Sequence, residues 1–465
     1  MDSHHNIHLL PFTILLIMTL GAAASNGEGV FNVMNYGAKA DAKVDDSKAF
    51  LSAWSAACSY SQGESTMLIP KGSYLVGPLM FQGHCAGKVK IQLNGNLLAS
   101  TNLDDFTNTD GTMKDWVVFR YIDELNITGG GILHGRGASS WHFNNCSQNH
   151  CMRLPATLVL SFVNKGSISH ISSIDSKFFH MVVYGCKETT IIDSVTITAP
   201  HDSPNTDGIH IGASSGVSVL NSAIGTGDDC ISIGPDVRNV TITNVNCGPG
   251  HGISVGSLGS GAQDKNVEGL TVTSCTFNRS DNGVRIKTWQ TSVSSLLAAH
   301  FIYQNITMIS VQNPIIIDQT YCPYSMCNTT EPSKVQIKDV KFKDFRGTSS
   351  TEAAINLVCS DWFPCEDIEL SNIMLEYSGP DQHIKSTTAI CVNARGTSSG
   401  TMNPKSCLAP PKSFHHLSNS HRKYLSNISS EDHMTKSSSI RMTTTTDAIF
   451  SLFVFGLLLL LANAQ

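Results

Sequence analysis

Three carboxylates and an imidazole recur on a fixed interval near the middle of the chain. Asp207, Asp229 and His251 are each 22 residues apart, and Ile209, Ile231 and Ile253 keep the same interval two positions later. Asp228 adjoins Asp229, and Arg285 and Lys287 follow on a later segment. Crowded carboxylates repel one another, so at least one keeps its proton while its neighbours ionise. Glycoside hydrolysis needs that division: an acid for the leaving oxygen, and a base for water or for the sugar. Arg285 and Lys287, two apart on a strand, share a face and could grip an anionic substrate. The guanidinium would act as a fork and the ammonium as a point charge. Each feature alone is weaker. Asp-Gly and Asp-Asp pairs are common turn formers, a triple carboxylate cluster can hold calcium, and two cations can be a solvated strand face. His251 in the same row and two cations nearby speak against calcium, because they would repel a bound metal.

Such a row needs elements that repeat. A constant interval carrying one apolar and one polar position marks a repeat architecture. From residue 66 to about 407 the chain consists of short runs rich in Val, Ile and Thr, broken by Gly, Asn, Asp and Ser. Examples are residues 125–128, 190–197, 240–245 and 270–273. Their spacing is near half the interval, which predicts at least two strands per repeat. Sandwiches do not repeat chemically equivalent positions at a constant interval, whereas a parallel β-helix stacks its coils about 4.8 Å apart. Asn244 and Asn246 fit the corners between sheets, where Asn tolerates left-handed angles. The register continues at an interval of 31, from His251-Gly252-Ile253-Ser254 to Asn282-Gly283-Val284-Arg285 and on to Asn313-Pro314-Ile315-Ile316. One short helix is expected near the start, where Ala49, Phe50, Ala53, Trp54 and Ala57 recur at helical spacing behind a cap at Asp45-Asp46-Ser47.

The chain has 465 residues, 41% hydrophobic and 15% charged, enough for one large repeat domain. A formal charge of −6 gives no reason to expect nucleic acid as a partner. Residues 1–25 read as a secretory signal, with an apolar run from Leu9 to Leu20 and small residues at 21–25. Secretion places the 14 cysteines where disulfides persist. Proximity pairs Cys230 with Cys247, Cys322 with Cys327, Cys359 with Cys365 and Cys391 with Cys407. Glycosylation sequons at Asn126, Asn145, Asn239, Asn278, Asn305, Asn328 and Asn427 agree with that compartment. The repeat domain is expected over 26–408, followed by a disordered polar linker at 409–447 and a hydrophobic tail at 448–465. The serines at 437–439, an eight-residue spacer and a 15-residue apolar run have the layout of a GPI-attachment signal. The run is short for a membrane span, which takes about 20 residues.

Asn205-Thr206-Asp207, Gly227-Asp228-Asp229, Gly250-His251-Gly252 and Arg285-Ile286-Lys287, in this order, resemble the plant polygalacturonases of glycoside hydrolase family 28. The resemblance extends over about residues 30–407 and includes Cys247 to Gly259 and Ile317 to Cys322. It implies an all-β fold, a right-handed single-stranded parallel β-helix (a pectin-lyase-like solenoid), and hydrolysis of α-1,4-galacturonan with inversion. Carried across, Asp228 is the general acid, Asp207 and Asp229 activate water, and His251 tunes the acid and helps bind sugar. Arg285, Lys287 and Tyr321 hold galacturonate carboxylates. No cofactor or metal is implied. The expected partner is pectic homogalacturonan in the cell wall, and the expected state is a monomer. Residues 290–299 depart from the Gly-rich turn usual in relatives. They are unusually apolar for an exposed loop and could alter the cleft wall. A pectate-lyase-type elimination, a non-catalytic pectin-binding protein and a hydrolase of a rhamnose-containing backbone are the rival readings.

Overall fold

The computed structural model describes residues 29–145, 150–323 and 327–411. The expected leader, nearly all of the polar linker and the hydrophobic tail lie outside the described residues. Within them the chain winds as a right-handed parallel β-helix. One wall is an eleven-stranded sheet whose strands, with the bends that lead into them, carry every candidate catalytic and substrate-binding residue. Its strands in chain order are β1 (Leu79–Gln82), β2 (Val117–Arg120), β3 (Leu158–Ser161), β4 (Met181–Tyr184), β5 (Ile209–Gly212), β6 (Ile231–Ile233), β7 (Ile253–Leu258), β8 (Asn282–Trp289), β9 (Asn313–Tyr321), β10 (Ala353–Val358) and β11 (Thr388–Val392). Each pairs in parallel with the next.

The expected intervals are the registers of this sheet. Ile209 pairs with Ile231 and Ile231 with Ile253. Ile253 then pairs with Val284, and Val284 with Ile315. All five are buried inside the coil. Because a strand alternates its faces, this inner column fixes an outer one: His210, Ser232, Ser254, Arg285 and Ile316 stand one coil apart on the opposite face.

Each complete coil has three strands, consistent with the expected minimum of two. The second and third walls run, for example, through Thr190–Asp193 and Thr196–Thr198, or Val237–Thr243 and Asn246–Cys247. Toward the C-terminus they fuse into single long strands such as Leu296–Val311 and Val335–Ser349. The corner between these two walls is turned by one left-handed residue per coil, with φ of 56° at Ser194, 47° at Asn221, 56° at Asn244 and 55° at Asn305. The corner side chains bond along the axis: Asn244 Nδ2 donates to Asn221 Oδ1, and Asn221 Nδ2 donates to Asp193 Oδ1, each at 2.9 Å. Asn246, expected at a corner, lies instead in a strand.

The helix α1 (Ser47–Cys58) covers the N-terminal mouth of the coil and buries Ala49, Phe50, Ala53, Trp54 and Ala57. Trp54 packs 5.1 Å from Phe81 and 5.8 Å from Phe119, centroid to centroid. The cap differs in detail from expectation. Asp45 Oδ1 accepts the Ser47 amide, while the Asp46 carboxylate turns back to the amides of Lys39 and Ala40. Residues 290–299 are not an exposed apolar loop either. A short turn leads straight into the strand that starts at Leu296, and Leu296, Ala298 and Ala299 are buried. Their apolar character is that of a core strand.

Among the described residues all four expected disulfides form, and another, Cys58–Cys85, ties the end of α1 to the segment after β1. Cys186 and Cys275 are free and buried. The sequon residues Asn126, Asn239, Asn278, Asn305 and Asn328 are exposed.

The isoleucine column sets the coil register, so truncating its middle member removes packing against both neighbouring coils. Ile231→Ala is expected to lower the unfolding free energy by about 2–5 kcal/mol in equilibrium denaturation, with the β-rich circular dichroism retained.

Candidate active site

Asp207, Asp229 and His251 each precede the first residue of β5, β6 and β7 by two positions. Bends at Gly208, Gly227–Asp228 and Pro249–His251 interrupt the strand alternation there. Asp228 and Asp229 therefore both turn toward one site although they are adjacent. Gly227 is required by close approach, because a Cβ there would lie 2.1 Å from the Ser203 carbonyl oxygen. Gly250 is required twice over, by a φ of +139° and by a 2.6 Å approach to the Asp228 carbonyl oxygen. Coil-to-coil amides tie the bends together: Gly208 N donates to Asp229 O at 2.9 Å, and His251 N to Asp228 O at 2.8 Å.

The three carboxylates stand in different surroundings. Asp229 is fully buried, and both of its oxygens are engaged. Oδ1 accepts the Ser254 hydroxyl at 2.6 Å, and Oδ2 accepts the Lys287 ammonium at 3.0 Å. Asp228 reaches the surface, with His251 Nδ1 at 3.0 Å from its Oδ1 and Asn205 Nδ2 at 3.3 Å from its Oδ2. Asp207 is fully buried, and neither of its oxygens has a hydrogen bond of good geometry. The Ser232 hydroxyl beside it is engaged with His210 Nδ1 at 2.8 Å.

These surroundings set the charges. Burial, and then the charges of Asp228 and Asp229, push the Asp207 carboxyl well above the usual carboxylate range; Ser232 and Lys287 oppose this more weakly. Burial would also raise Asp228, but the charge and hydrogen bond of His251, with Lys287, together outweigh it and hold Asp228 at about 2. For His251, burial disfavours the cation, yet Asp228 prevails and raises the imidazole to about 9. At neutral pH the Asp228–His251 pair thus holds one proton, on the ring. Lys287 is raised above its ordinary value, since the charge of Asp229 overcomes burial.

Arg285 is half-buried one coil beyond Ser254. It has no hydrogen-bonded or ion-pair partner among the described residues, and its Nε is buried. Its guanidinium carbon lies 5.2 Å from the Tyr321 ring centroid, and Lys287 Nζ lies 5.3 Å from it. Trp289 supports Tyr321 edge-on at 5.7 Å. The expected residues Asp207, Asp228, Asp229, His251, Arg285, Lys287 and Tyr321 thus come together on consecutive coils.

Sequence reasoning missed several members. Ser254 holds Asp229; Asn282 Nδ2 donates to the His251 carbonyl at 3.1 Å; Asp281 lies 3.6 Å from His251 Nε2. The signal for Ser254 was present, since His210, Ser232 and Ser254 keep the same 22-residue interval. Asp228, Asp229 and His251 bring ligand-type atoms within 4.8 Å of one another. That set is nonetheless a poor cation site: it offers few oxygens, Lys287 already neutralises Asp229, and His251 carries the local proton.

The two sides of the cluster differ. Toward the N-terminus the sheet face is roofed by an apolar group of Leu154, Phe178, Phe179, Val182 and Tyr184. Phe179 stacks 4.9 Å from His210, and Arg153 lies over Phe178 while pairing with Asp115 at 2.7 Å. A cavity of about 680 Å³ lies beyond this roof, over β1 to β3. Toward the C-terminus lie Arg285, Tyr321 and the exposed Trp362.

The profile of Glycosyl hydrolases family 28 matches residues 58–407. An exopolygalacturonase of Zea mays is 46% identical over 387 residues, covering 83% of this chain and 92% of that protein. A polygalacturonase of Gossypium hirsutum is 39% identical over 412 residues, covering 88% and 98%. Among solved structures, the endo-xylogalacturonan hydrolase of Aspergillus tubingensis superposes with a TM-score of 0.66 at 22% identity, covering 80% of this chain and all of that one, which bears on the fold alone. With its β-helix, its three clustered aspartates and these relatives, the chain belongs to glycoside hydrolase family 28.

Proposed function

We propose that the protein is a secreted polygalacturonase that hydrolyses α-1,4-galacturonosyl bonds of cell-wall pectin with inversion, working from a chain end. The observation that carries this reading is the pairing of an acid–base carboxylate cluster with an adjacent, uncommitted guanidinium. Arg285 offers a bidentate fork where a sugar carboxylate would sit one coil from the acids. It favours galacturonan over a rhamnose-containing backbone.

In the reaction Asp228 protonates the glycosidic oxygen as the bond to the anomeric carbon breaks. Water adds to that carbon from the opposite face and loses a proton to a carboxylate, which inverts the configuration. In the free site the acid's proton rests on His251. Substrate binding removes water and brings a second negative charge, and both effects favour a neutral Asp228. The proton then passes from His251 Nδ1 across 3.0 Å to Asp228. The segment after Trp289 weighs against a non-catalytic reading, because Leu296, Ala298 and Ala299 belong to a core strand and only Val293 of its apolar side chains is exposed. Elimination assisted by calcium is disfavoured by the ammonium on Asp229.

Cleavage from a chain end is supported by the roof of Leu154, Phe178 and Phe179 beside His210, which leaves little room for sugars on that side. The 46% identical maize relative is itself an exopolygalacturonase. Export is supported by the five disulfides among the described residues and by exposed sequons. The serine-rich spacer and apolar tail support a GPI anchor at the outer membrane surface.

The purified protein is expected to release galacturonic acid monomer from de-esterified polygalacturonate from the first time points, without ultraviolet-absorbing product and with no loss in chelator. A ladder of oligomers would overturn the chain-end reading, and an absorbing product would overturn hydrolysis. Asp228→Asn is expected to lower kcat by about 10²–10⁴-fold with the fold retained. Release from membranes by a phosphatidylinositol-specific phospholipase tests the anchor.

The pH profile of kcat/KM reports the free site. Its acid limb follows ionisation of the raised Asp207 and falls above the usual carboxylate range. The raised His251 is charged below its ordinary value and loses its proton as pH rises through about 9, so the alkaline limb falls there. The same pair stabilises the fold across this window: the His251 contribution is lost above about 9, and the Asp228 contribution as pH drops toward about 2. In His251→Ala, Asp228 loses the charge and hydrogen bond that most depress it, so its pKa rises and the alkaline limb moves to lower pH. An unmoved limb would remove His251 from the pair.

A further inference from the structure

We propose that Asp207 alone takes the proton from the attacking water, and that Asp229 is a fixed charge held by two positioning residues, Ser254 and Lys287. This rests on the hydrolase reading above and divides a role that sequence resemblance assigns to both carboxylates.

The division follows from what each oxygen already holds. Asp229 Oδ1 takes the Ser254 hydroxyl at 2.6 Å and Oδ2 takes the Lys287 ammonium at 3.0 Å, with all three groups buried. A proton arriving on Asp229 would displace one of these donors or sit against a cation. Asp207 is less engaged: both oxygens are buried, neither has a hydrogen bond of good geometry among the described residues, and the nearby Ser232 hydroxyl, its weak partner, is shared with His210 Nδ1. Buried acceptors without donors are strongly disfavoured unless water supplies the hydrogen bond. The attacking water therefore belongs on Asp207. The negative charge of Asp229 beside it raises Asp207 and so makes it a stronger base. Lys287, committed to Asp229, leaves the sugar carboxylate to Arg285.

The step balances. The water oxygen forms a bond to the anomeric carbon and its proton passes to Asp207. The electron pair of the broken glycosidic bond goes to the leaving oxygen, which receives the proton of Asp228.

Azide tests the assignment, because it attacks the anomeric carbon without needing a base. Wild-type protein is first assayed for reducing-end release; absence of that activity would refute the hydrolase reading and not this division. Asp207→Ala and Asp229→Ala are then incubated with trigalacturonate and sodium azide. The expected result is a galacturonosyl azide of inverted configuration from Asp207→Ala only. An azide product from Asp229→Ala, or from neither variant, would overturn the proposal. A second arm leaves the carboxylates untouched and so stands if an alanine variant fails to fold. Ser254→Ala should lower kcat by about tenfold or more, with KM nearly unchanged. It should also shift the acid limb of the pH profile upward, and Ser254→Thr should restore both. A Ser254→Ala enzyme with wild-type kcat and pH profile would remove Ser254 from its positioning role.

Discussion

The site depends on a buried ion pair. Lys287 Nζ lies 3.0 Å from Asp229 Oδ2, with their side chains 6% and 0% exposed. Three carboxylates on adjacent coils would otherwise be a concentrated negative charge in a water-poor setting. Removing one partner of such a pair costs about 3–5 kcal/mol, because the other is left buried and unpaired. With Asp229 neutralised internally, the remaining two can diverge. Asp228 faces His251 and the cleft and is depressed; Asp207 has no hydrogen bond of good geometry and is raised. Two environments on neighbouring coils thus separate groups of one chemical type, but in the free site the proton sits on Asp207 and His251 rather than on Asp228, the reverse of the division expected for an acid at Asp228.

The solenoid makes this affordable because every contact is local to a few coils. Lys287 is on β8 and Asp229 just before β6, so the pair spans two coils and passes beside Ser254 on β7. The inner isoleucine column and the outer polar column are the two faces of the same strands. A one-residue slip would send His210, Ser232 and Ser254 into the core and the isoleucines out, so burial of the column protects the geometry of the site. The outer face also accounts for the asymmetry along the axis. Where the coils carry Val118, Val159 and Val182 the sheet is roofed by packed side chains, and where they carry Ser232, Ser254 and Arg285 it is left polar.

Much of this was legible in the chain itself. The 22- and 31-residue intervals are strand registers, and the residues at those intervals are the ones that meet. Short-range chemistry was legible too, as with the four close cysteine pairs and the apolar face of α1. What escaped depends on which way a side chain turns after a bend. Asp46 and Asp45 are both sensible caps, and only the path of residues 38–40 decides that Asp46 serves the loop. Residues 290–299 looked anomalous as a loop because the third wall there merges with the second, an event no local pattern announces. Cys58 and Cys85 are 27 residues apart and meet only through the first coil. Lys287 and Arg285 alternate correctly onto one face, yet depth separates them: one is committed to Asp229 and the other is not.

That difference in depth bears on how an anionic polymer can be read. Two equivalent surface cations would attract any polyanion, with an affinity that falls steeply as salt rises. Here one cation is spent inside the protein and one guanidinium remains, lying over Tyr321 and beside Lys287, whose own charge is already balanced. The remaining fork has a fixed direction, set by the alternation of β8 and by the Tyr321 ring that Trp289 buttresses. If Arg285 binds a sugar carboxylate as proposed, a single oriented guanidinium would reward one carboxylate at one distance from the acids and so select the position of that sugar relative to the bond to be broken. A neutral methyl ester at that position forfeits the charge-assisted bond, whereas esters elsewhere on the chain are not interrogated by it. On the proposed reading, selectivity for an acidic residue next to the scissile bond would follow from the same ion pair that commits Lys287 to Asp229.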